Sequence, residues 1–166
     1  MVLVYLSAPI IHPTLHKDDF CVTVIRVLEN NGIRVFAPQM LEENEPKIIY
    51  RRDVDYIRLC DFLIAEVSSP SLGVGMEIML AIDLMKPVLL FHRSDSDRIS
   101  KMVLGADGKV IFEYSDLKEV DNILHSMNLE NLIVHNCPGC DSQIAEVLED
   151  VIRCVACGHS DRDIVV

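Results

Sequence analysis

The sequence predicts an α/β fold in which a five-stranded parallel sheet carries helices on both faces. Short apolar segments alternate along the chain with segments of helical periodicity, and each segment has the length of one strand or one helix. Parallel strands are joined by helical crossovers that cover both faces of the sheet, so such strands read as nearly continuous apolar runs. The observed runs have this character.

The five predicted strands are enriched in Val, Ile, Leu and Phe. They cover residues 2–6, 33–37, 62–67, 87–92 and 109–113. The five predicted helices cover residues 14–30, 48–59, 75–86, 98–104 and 116–127. Asn31 and Gly32 end the first helix, and Pro87 ends the third one. Right-handed crossovers then favour the flavodoxin-like strand order 2-1-3-4-5 within the wider Rossmann-like class.

In a sheet of this order, ligands bind beyond the carboxyl ends of the strands, here between the first and third strands. Two predicted loops lie at that point. The first covers residues 7–13 and the second covers residues 68–75. Both are rich in small residues and prolines, which let the backbone approach a ligand closely and hold it rigidly.

The second loop leads into a helix that carries Glu77 in its predicted first turn. Ser71, Gly73 and Gly75 precede this glutamate, and a helix N-terminus with free N–H groups can receive an anion. The same glycine pattern also occurs in ordinary turns. A glutamate near a helix start can also complement the helix dipole and have no further role. Both interpretations stay open at this stage.

The composition argues against two classes of partner. A formal net charge of −11 leaves no basic face for the phosphates of duplex nucleic acid. The longest apolar runs are far shorter than the roughly 18 residues of a membrane span. The chain opens on a strand-like run rather than on the pattern of a secretion signal, so we expect a cytoplasmic protein with no membrane partner.

Four of the six cysteines form two C-x-x-C pairs late in the chain. They are Cys137, Cys140, Cys154 and Cys157. In a reducing compartment this spacing indicates a zinc ribbon, with a redox pair as the alternative. Four thiolates leave no vacant position on the metal, so we expect structural Zn²⁺ and no cofactor for catalysis. We place an α/β domain at residues 1–130 and the zinc ribbon at 131–166.

One segment of the chain resembles a known family. Residues 65–77 read Ala-Glu-Val-Ser-Ser-Pro-Ser-Leu-Gly-Val-Gly-Met-Glu and resemble the signature of the 2′-deoxynucleoside 5′-phosphate N-hydrolases. These enzymes belong to the nucleoside 2-deoxyribosyltransferase superfamily. Asp53 matches the pattern upstream, and the similarity continues through Gly105-Ala-Asp-Gly108, so it covers most of residues 1–128.

The resemblance implies a role for each of two carboxylates. Glu77 matches the nucleophile that attacks C1′ of the sugar, and Asp53 matches its partner near the sugar hydroxyls and the base. Breaking an N-glycosidic bond passes through an oxocarbenium-like sugar, which a carboxylate can stabilise and capture as a covalent ester. Water then completes a hydrolysis, whereas a second nucleobase completes a transfer.

The resemblance also implies a set of substrate contacts. Ser71 matches a phosphate contact, and Ser100 matches a serine that reaches the phosphate bound by the neighbouring subunit. Pro9 occupies the position of a phosphate-binding serine of the nucleotide hydrolases, and Ser-Ala-Pro is more similar to the Ala-Gly-Pro loop of the nucleoside-directed transferases. The predicted substrate-binding residues are Tyr5, Ser7, Ala8, Pro9, Ser71, Gly73, Gly75 and Ser100.

These expectations define one leading function and two alternatives. The leading function is an N-glycosidase that cleaves 2′-deoxynucleosides or their 5′-monophosphates through a covalent glycosyl-glutamate intermediate. The alternatives are a nucleoside 2-deoxyribosyltransferase that exchanges nucleobases and a non-catalytic nucleotide-binding module. In each case the partner is a small-molecule nucleoside or nucleotide, and the match of Ser100 implies a homodimer or a dimer of dimers.

Overall fold

A computed structural model describes residues 1–9 and 17–161. The main sheet contains β1 (Leu3–Ser7), β2 (Arg34–Phe36), β3 (Phe62–Glu66), β4 (Val88–Arg93) and β5 (Lys109–Tyr114). The helices are α1 (Lys17–Asn30), α2 (Pro46–Leu59), α3 (Leu72–Asp83), α4 (Lys101–Gly105) and α5 (Leu117–His125). Short 3-10 turns cover Pro38–Met40 and Leu129–Asn131. Within the described ranges, no helix combines the length and the apolar character that a bilayer span requires.

All five strands of the main sheet are parallel, in the order β2-β1-β3-β4-β5. The predicted order of 2-1-3-4-5 is therefore confirmed. The chain reverses its direction of winding between β1 and β3, which pair with Ser7 opposite Ala65. The carboxyl ends of these two strands thus lie side by side at the switch point.

Alternation along the strands divides the buried side chains between two faces of the sheet. Leu6 packs with α1 and α5 on one face, in a cluster that includes Phe20 and Leu124. Tyr5 packs on the opposite face with α2 and α3, in a cluster that includes Ile57 and Ile78. Helices therefore cover both faces, as the sequence predicts. Successive residues of one strand also point into two different environments.

Two helix starts differ from their predicted positions by three residues, and a side-chain cap explains each difference. α3 begins at Leu72 rather than at 75, because Ser71 is its N-cap and its Oγ accepts the N–H of Val74 at 3.4 Å. α4 begins at Lys101 rather than at 98, because the Oγ of Ser100 accepts the N–H of Met102 at 3.3 Å. The predicted start of the first helix at 14 lies outside the described residues.

The earlier start of α3 changes the setting of its glycines and of Glu77. Gly73 and Gly75 lie inside the helix rather than in the preceding loop, and Glu77 lies in the second turn rather than the first. The helix also ends at Asp83, before the predicted end at 86. Met85, with a φ of 58°, turns the chain into the left-handed region just after it.

A second, antiparallel sheet follows the α/β unit. It contains β6 (Leu132–Val134), β7 (Ile144–Leu148), β8 (Val151–Cys154) and β9 (Ser160–Asp161), in chain order. Ile144 is fully buried in the same core cluster as α1 and α5. Gln143 donates its backbone N–H to the carbonyl of Lys109 at 2.9 Å and its side-chain amide to Asp107 at 3.0 Å. The second sheet is therefore fixed to the start of β5.

Candidate active site

The carboxylate of Glu77 lies beside the carboxyl end of β1. Tyr5 donates its hydroxyl to Glu77 Oε1 at 2.8 Å, and Ser7 donates its hydroxyl to Oε2. Tyr5 and Ser7 are two residues apart on one strand, so both side chains point toward α3. Each carboxylate oxygen has one hydroxyl donor, and the orientation of the group is therefore fixed from both sides.

The surroundings of Glu77 change its acidity. Burial raises the pKa of Glu77 above its usual value of 4.5. The hydrogen bonds from Ser7 and Tyr5 lower this pKa, and the negative charge of Asp53 raises it. Burial and the negative charge of Glu77 also raise the pKa of Tyr5, so its phenol remains a neutral donor at physiological pH.

Asp53 belongs to the same site but has a different partner. It lies on α2 with its side chain 14% exposed, and its Oδ1 accepts a hydrogen bond from the Nε of Arg52 at 2.8 Å. Its charge acts on both Glu77 and Tyr5. The structure thus brings together the two carboxylates that the sequence predicts, one held by hydroxyls and one by a guanidinium.

An aromatic group extends the site, and the sequence reasoning missed it. Phe36 at the end of β2 stacks on Tyr56 with ring centroids 3.6 Å apart and planes 7° from parallel. Tyr5 lies 5.5 Å from Phe36, and the Arg52 guanidinium lies 5.7 Å from the same ring. The sequence did offer one signal for this group: Phe36 ends the strand that pairs with β1, and its ring is therefore placed near the predicted site. Tyr56 is the exposed member of this group, at 36%, so its ring is the one that can pack against the flat face of a base.

Among the described residues, the donors to the Glu77 carboxylate are the hydroxyls of Tyr5 and Ser7. The other predicted substrate-binding residues make no hydrogen bond to Glu77 in this part of the chain. Ser71 and Ser100 act as helix caps in this structure. Ala8 and Pro9 are buried just beyond β1. The rest of the first predicted loop, residues 10–13, lies outside the described part of the chain.

The four paired cysteines converge in the second sheet. Their sulfur atoms all lie within 4.8 Å of one another. Sγ–Sγ distances of 3.6 Å join Cys137 to Cys157 and Cys140 to Cys154, too long for a disulfide bond. Zinc–sulfur bonds of about 2.3 Å place tetrahedral thiolates about 3.8 Å apart. The four cysteines therefore have the geometry to hold a metal ion.

Comparison with known proteins decides the family. Residues 4–133 match the sequence model of the nucleoside 2-deoxyribosyltransferase family. The chain belongs to this family. The match confirms the resemblance found at residues 65–77, and it ends before Cys137, the first of the four clustered cysteines.

Two curated relatives of this chain are named 5-hydroxymethyl-dUMP N-hydrolase. The protein from Tetraodon nigroviridis is 43% identical over 81 residues, which are 47% of this chain and 57% of that protein. The protein from Danio rerio is 40% identical over 86 residues, which are 50% of this chain and 60% of that protein. The matched part thus spans little more than half the length of these relatives.

Two solved structures share the fold at lower sequence identity. A CMP N-glycosidase from Clostridium botulinum has a TM-score of 0.59 and 22% identity, with 74% of this chain and 98% of that chain covered. A 2-deoxyribosyltransferase from Bacillus psychrosaccharolyticus has a TM-score of 0.59 and 20% identity, with 78% and 94% covered. Both confirm the predicted fold of the parallel sheet and its helices.

The two hydroxyl contacts lead to a prediction about the titration of Glu77. Replacing Tyr5 by Phe removes a hydrogen bond that lowers the pKa of Glu77, so the pKa should rise further. Protonation of Glu77 should then occur at higher pH as the solution is acidified. The measurement is the pH dependence of the ¹³C shift of the Glu77 side-chain carboxyl.

Tyr56→Phe is the matched control, because it removes a hydroxyl from the stacked ring and leaves the donors of Glu77 in place. Its titration curve should coincide with that of the unmodified protein. An unchanged midpoint in Tyr5→Phe would contradict the assignment of Tyr5 as a donor that stabilises the ionised carboxylate.

Proposed function

We propose that the protein is an N-glycosidase that cleaves 2′-deoxynucleosides or their 5′-monophosphates, with Glu77 as the nucleophile. The observation that carries this proposal is the Glu77 carboxylate, held by Tyr5 and Ser7 at the switch point beside Asp53. Ligands of doubly wound sheets bind at this place. Membership of the nucleoside 2-deoxyribosyltransferase family supports the same chemistry.

The reaction has two steps. In the first, a carboxylate oxygen of Glu77 bonds to C1′ while the bond from C1′ to the base nitrogen breaks, and its electron pair leaves with the base. In the second, water attacks C1′ while the ester bond to Glu77 breaks, and the proton that this water loses passes to the departed base, directly or through solvent. Two displacements at C1′ give net retention of configuration. Asp53 lies close enough to act on the charge of Glu77, and we assign it to orienting the sugar and assisting proton transfer.

The hydroxyls of Tyr5 and Ser7 position the nucleophile. A carboxylate with a donor on each oxygen loses rotational freedom before substrate arrives, so less entropy is lost when it reaches C1′. The raised pKa of Tyr5 keeps its phenol protonated, and it therefore remains a donor throughout turnover. Tyr56, which is 36% exposed and stacks on the buried ring of Phe36, supplies a ring that can pack against a nucleobase.

A 5′-monophosphate is the favoured substrate form. The N-terminus of α3, capped by Ser71, presents a partial positive charge near Glu77 on the same helix. Two curated relatives are named for activity on a nucleotide, 5-hydroxymethyl-dUMP. The transferase alternative shares the first step and differs only in the acceptor, and the Ser7-Ala8-Pro9 sequence is the feature that favours it.

We also propose that the protein forms a homodimer or a dimer of dimers. Leu72, Met76 and Met79 follow one another at spacings of four and three along α3, which puts them on one face of the helix. Their exposed fractions are 91%, 63% and 53%. Such an apolar row is typical of an interface, and the resemblance of Ser100 to a serine that acts in the neighbouring subunit's site supports the same assembly.

The metal ion of the cysteine group is proposed to be zinc. Four thiolates at tetrahedral spacing suit Zn²⁺, and they leave no open position for substrate or water. The ion therefore supplies structure to the second sheet, while Glu77 and Asp53 carry out the chemistry. The six cysteines form no disulfide bond in the structure, which supports the cytoplasm as the compartment that we propose.

Removal of the charge of Glu77 tests the proposed reaction. Glu77→Gln keeps the size of the side chain but removes most of its nucleophilicity. We expect release of base from 5-hydroxymethyl-dUMP to fall about a thousandfold or more, which corresponds to roughly 4 kcal/mol of barrier. Chromatography of free base measures the rate, and a titration of the same nucleotide shows that binding survives.

Glu29→Gln is the matched control for this variant, since Glu29 is an exposed helical glutamate on α1. It should retain full activity. Full activity of Glu77→Gln would refute the catalytic proposal and would leave nucleotide binding without catalysis as the better account.

Metal analysis tests the cysteine group. Protein made under reducing conditions with zinc present should hold about one zinc ion per chain, and Cys137→Ser should lower this content. Removal of the ion should unfold the second sheet first and should reduce activity less than Glu77→Gln does. Cys60→Ala, which changes a thiol outside the group, should keep the zinc. Protein without bound metal under these conditions would be incompatible with the proposal.

Charge introduced on the exposed face of α3 tests the assembly. Met79→Lys should shift the protein toward monomers in sedimentation and should lower activity, because each site would lose its neighbour. Val22→Lys is the control, since Val22 is 52% exposed on α1, on the other side of the sheet. A stable monomer with full activity would exclude a role for the neighbouring subunit.

A further inference from the structure

Arg52 lies on α2 next to Asp53, with its side chain 22% exposed. Its Nε donates a hydrogen bond to Asp53 Oδ1 at 2.8 Å. Its guanidinium carbon lies 5.7 Å from the centre of the Phe36 ring, at the end of β2. A carboxylate and an aromatic ring therefore hold the guanidinium from two directions, and its place beside the candidate site is fixed.

The hydrogen bond to Asp53 engages Nε and leaves the outer part of the guanidinium free. Among the described residues, neither Nη atom of Arg52 has a hydrogen-bond partner. Neither belongs to the polar atoms that are both buried and unpaired, so both are accessible to solvent. Each Nη carries N–H groups and no acceptor. Arg52 thus offers open donors to an acceptor on a bound molecule.

The strand order decides which part of a nucleotide comes near Arg52. β2, β1 and β3 lie side by side, and Glu77 meets Tyr5 on the central strand of the three. Phe36 and Arg52 lie on the β2 side, whereas Ser71, at the start of α3, follows β3 on the other side. A nucleotide with its phosphate toward α3 and its C1′ at Glu77 therefore extends its base toward β2 and Arg52.

Asp53 and Arg52 face different parts of such a base. Burial and the negative charge of Asp53 raise the pKa of Glu77, so Asp53 lies close to the reacting carboxylate. The guanidinium of Arg52 lies against Phe36, on the outer side of Asp53. Asp53 therefore faces the sugar end of the base, and Arg52 faces the opposite edge. In a pyrimidine that edge carries the substituent at C4, which is a keto oxygen in uracil and an amino group in cytosine.

We propose, on the basis of the N-glycosidase function above, that the Nη atoms of Arg52 donate to the keto oxygen at C4 of a pyrimidine base and make uracil-type nucleotides the preferred substrates. A guanidinium has donors alone, so the amino group of cytosine sets N–H against N–H. When the bond from C1′ to the base breaks, part of the electron pair that leaves with the base spreads onto this oxygen. The hydrogen bond from Arg52 then strengthens, and the preference appears in the rate of base release.

The nucleotides dUMP and dCMP are the probes, because one carries the keto oxygen at C4 and the other the amino group. The unmodified full chain should release base from dUMP with a kcat/KM about tenfold or more above that for dCMP. Arg52→Met keeps an unbranched side chain and removes every donor. It should lower both rates, because Asp53 loses its partner, and it should bring the ratio of the two rates to about one. Chromatography of free base measures both rates.

Arg51→Met is the matched control, since Arg51 is exposed on the same helix, and it should keep the ratio of the unmodified protein. Arg52→Lys retains a charged donor and should keep part of the preference. Equal loss of both rates in Arg52→Met, with the ratio unchanged, would assign Arg52 to the positioning of Asp53 alone and would overturn the proposal. Loss of the difference between dUMP and deoxyuridine, with the base preference intact, would assign Arg52 to the phosphate and overturn it too.

Binding measurements separate the role of Arg52 from the catalytic role of Glu77. Calorimetric titration of Glu77→Gln with dUMP and dCMP gives two affinities without turnover. The affinity for dUMP should be the higher one, and addition of Arg52→Met should abolish the difference. If the unmodified protein releases base from neither nucleotide, the N-glycosidase function fails, whereas the ratio of affinities still decides the role of Arg52. Equal affinities of Glu77→Gln for the two nucleotides would refute recognition of the base by Arg52.

Discussion

The hydrogen bonds from Tyr5 and Ser7 to Glu77 are the contacts on which the arrangement of the candidate site depends. Burial opposes ionisation of this carboxylate, and two hydroxyl donors offset part of that penalty. A hydrogen bond to a charged group contributes about 2 kcal/mol. Both donors come from one face of one strand, so the parallel pairing of β1 with β3 also sets the place of α3 and its glutamate. The strand order of the sheet therefore determines where the two hydroxyl donors meet the Glu77 carboxylate.

Much of the fold follows from local pattern, because buried parallel strands and amphipathic helices have distinct periodicities. The strand order and the convergence of Cys137, Cys140, Cys154 and Cys157 were predicted from such patterns. The start of α3 at Leu72 was not predicted, because Gly73 and Gly75 have a low helix propensity and indicate a loop. The N-cap at Ser71 contributes about 1 kcal/mol, which offsets the cost of about one glycine, and burial of Val74 and Ile78 in the core offsets the rest.

The long-range parts of the site were harder to predict. Glu77 and Asp53 were found through family resemblance, whereas the stacking of Phe36 on Tyr56 depends on how β2 and α2 are placed. Likewise, the buried Glu66 accepts a hydrogen bond from the hydroxyl of Tyr114, which lies 48 residues further along the chain. Periodicity places a residue on a face, but it does not specify which distant side chain meets it there.

The attachment of the second sheet to β5 has a consequence for self-association. β5 is an edge strand of the main sheet, and edge strands expose N–H and C=O groups to which another chain can add. Gln143 occupies two of these groups at Lys109, through its backbone N–H at 2.9 Å and its side-chain oxygen at 3.4 Å. The opposite edge, β2, has only three residues and offers little to pair with. The C-terminal sheet thus shields the start of the longer edge from strand addition by another chain.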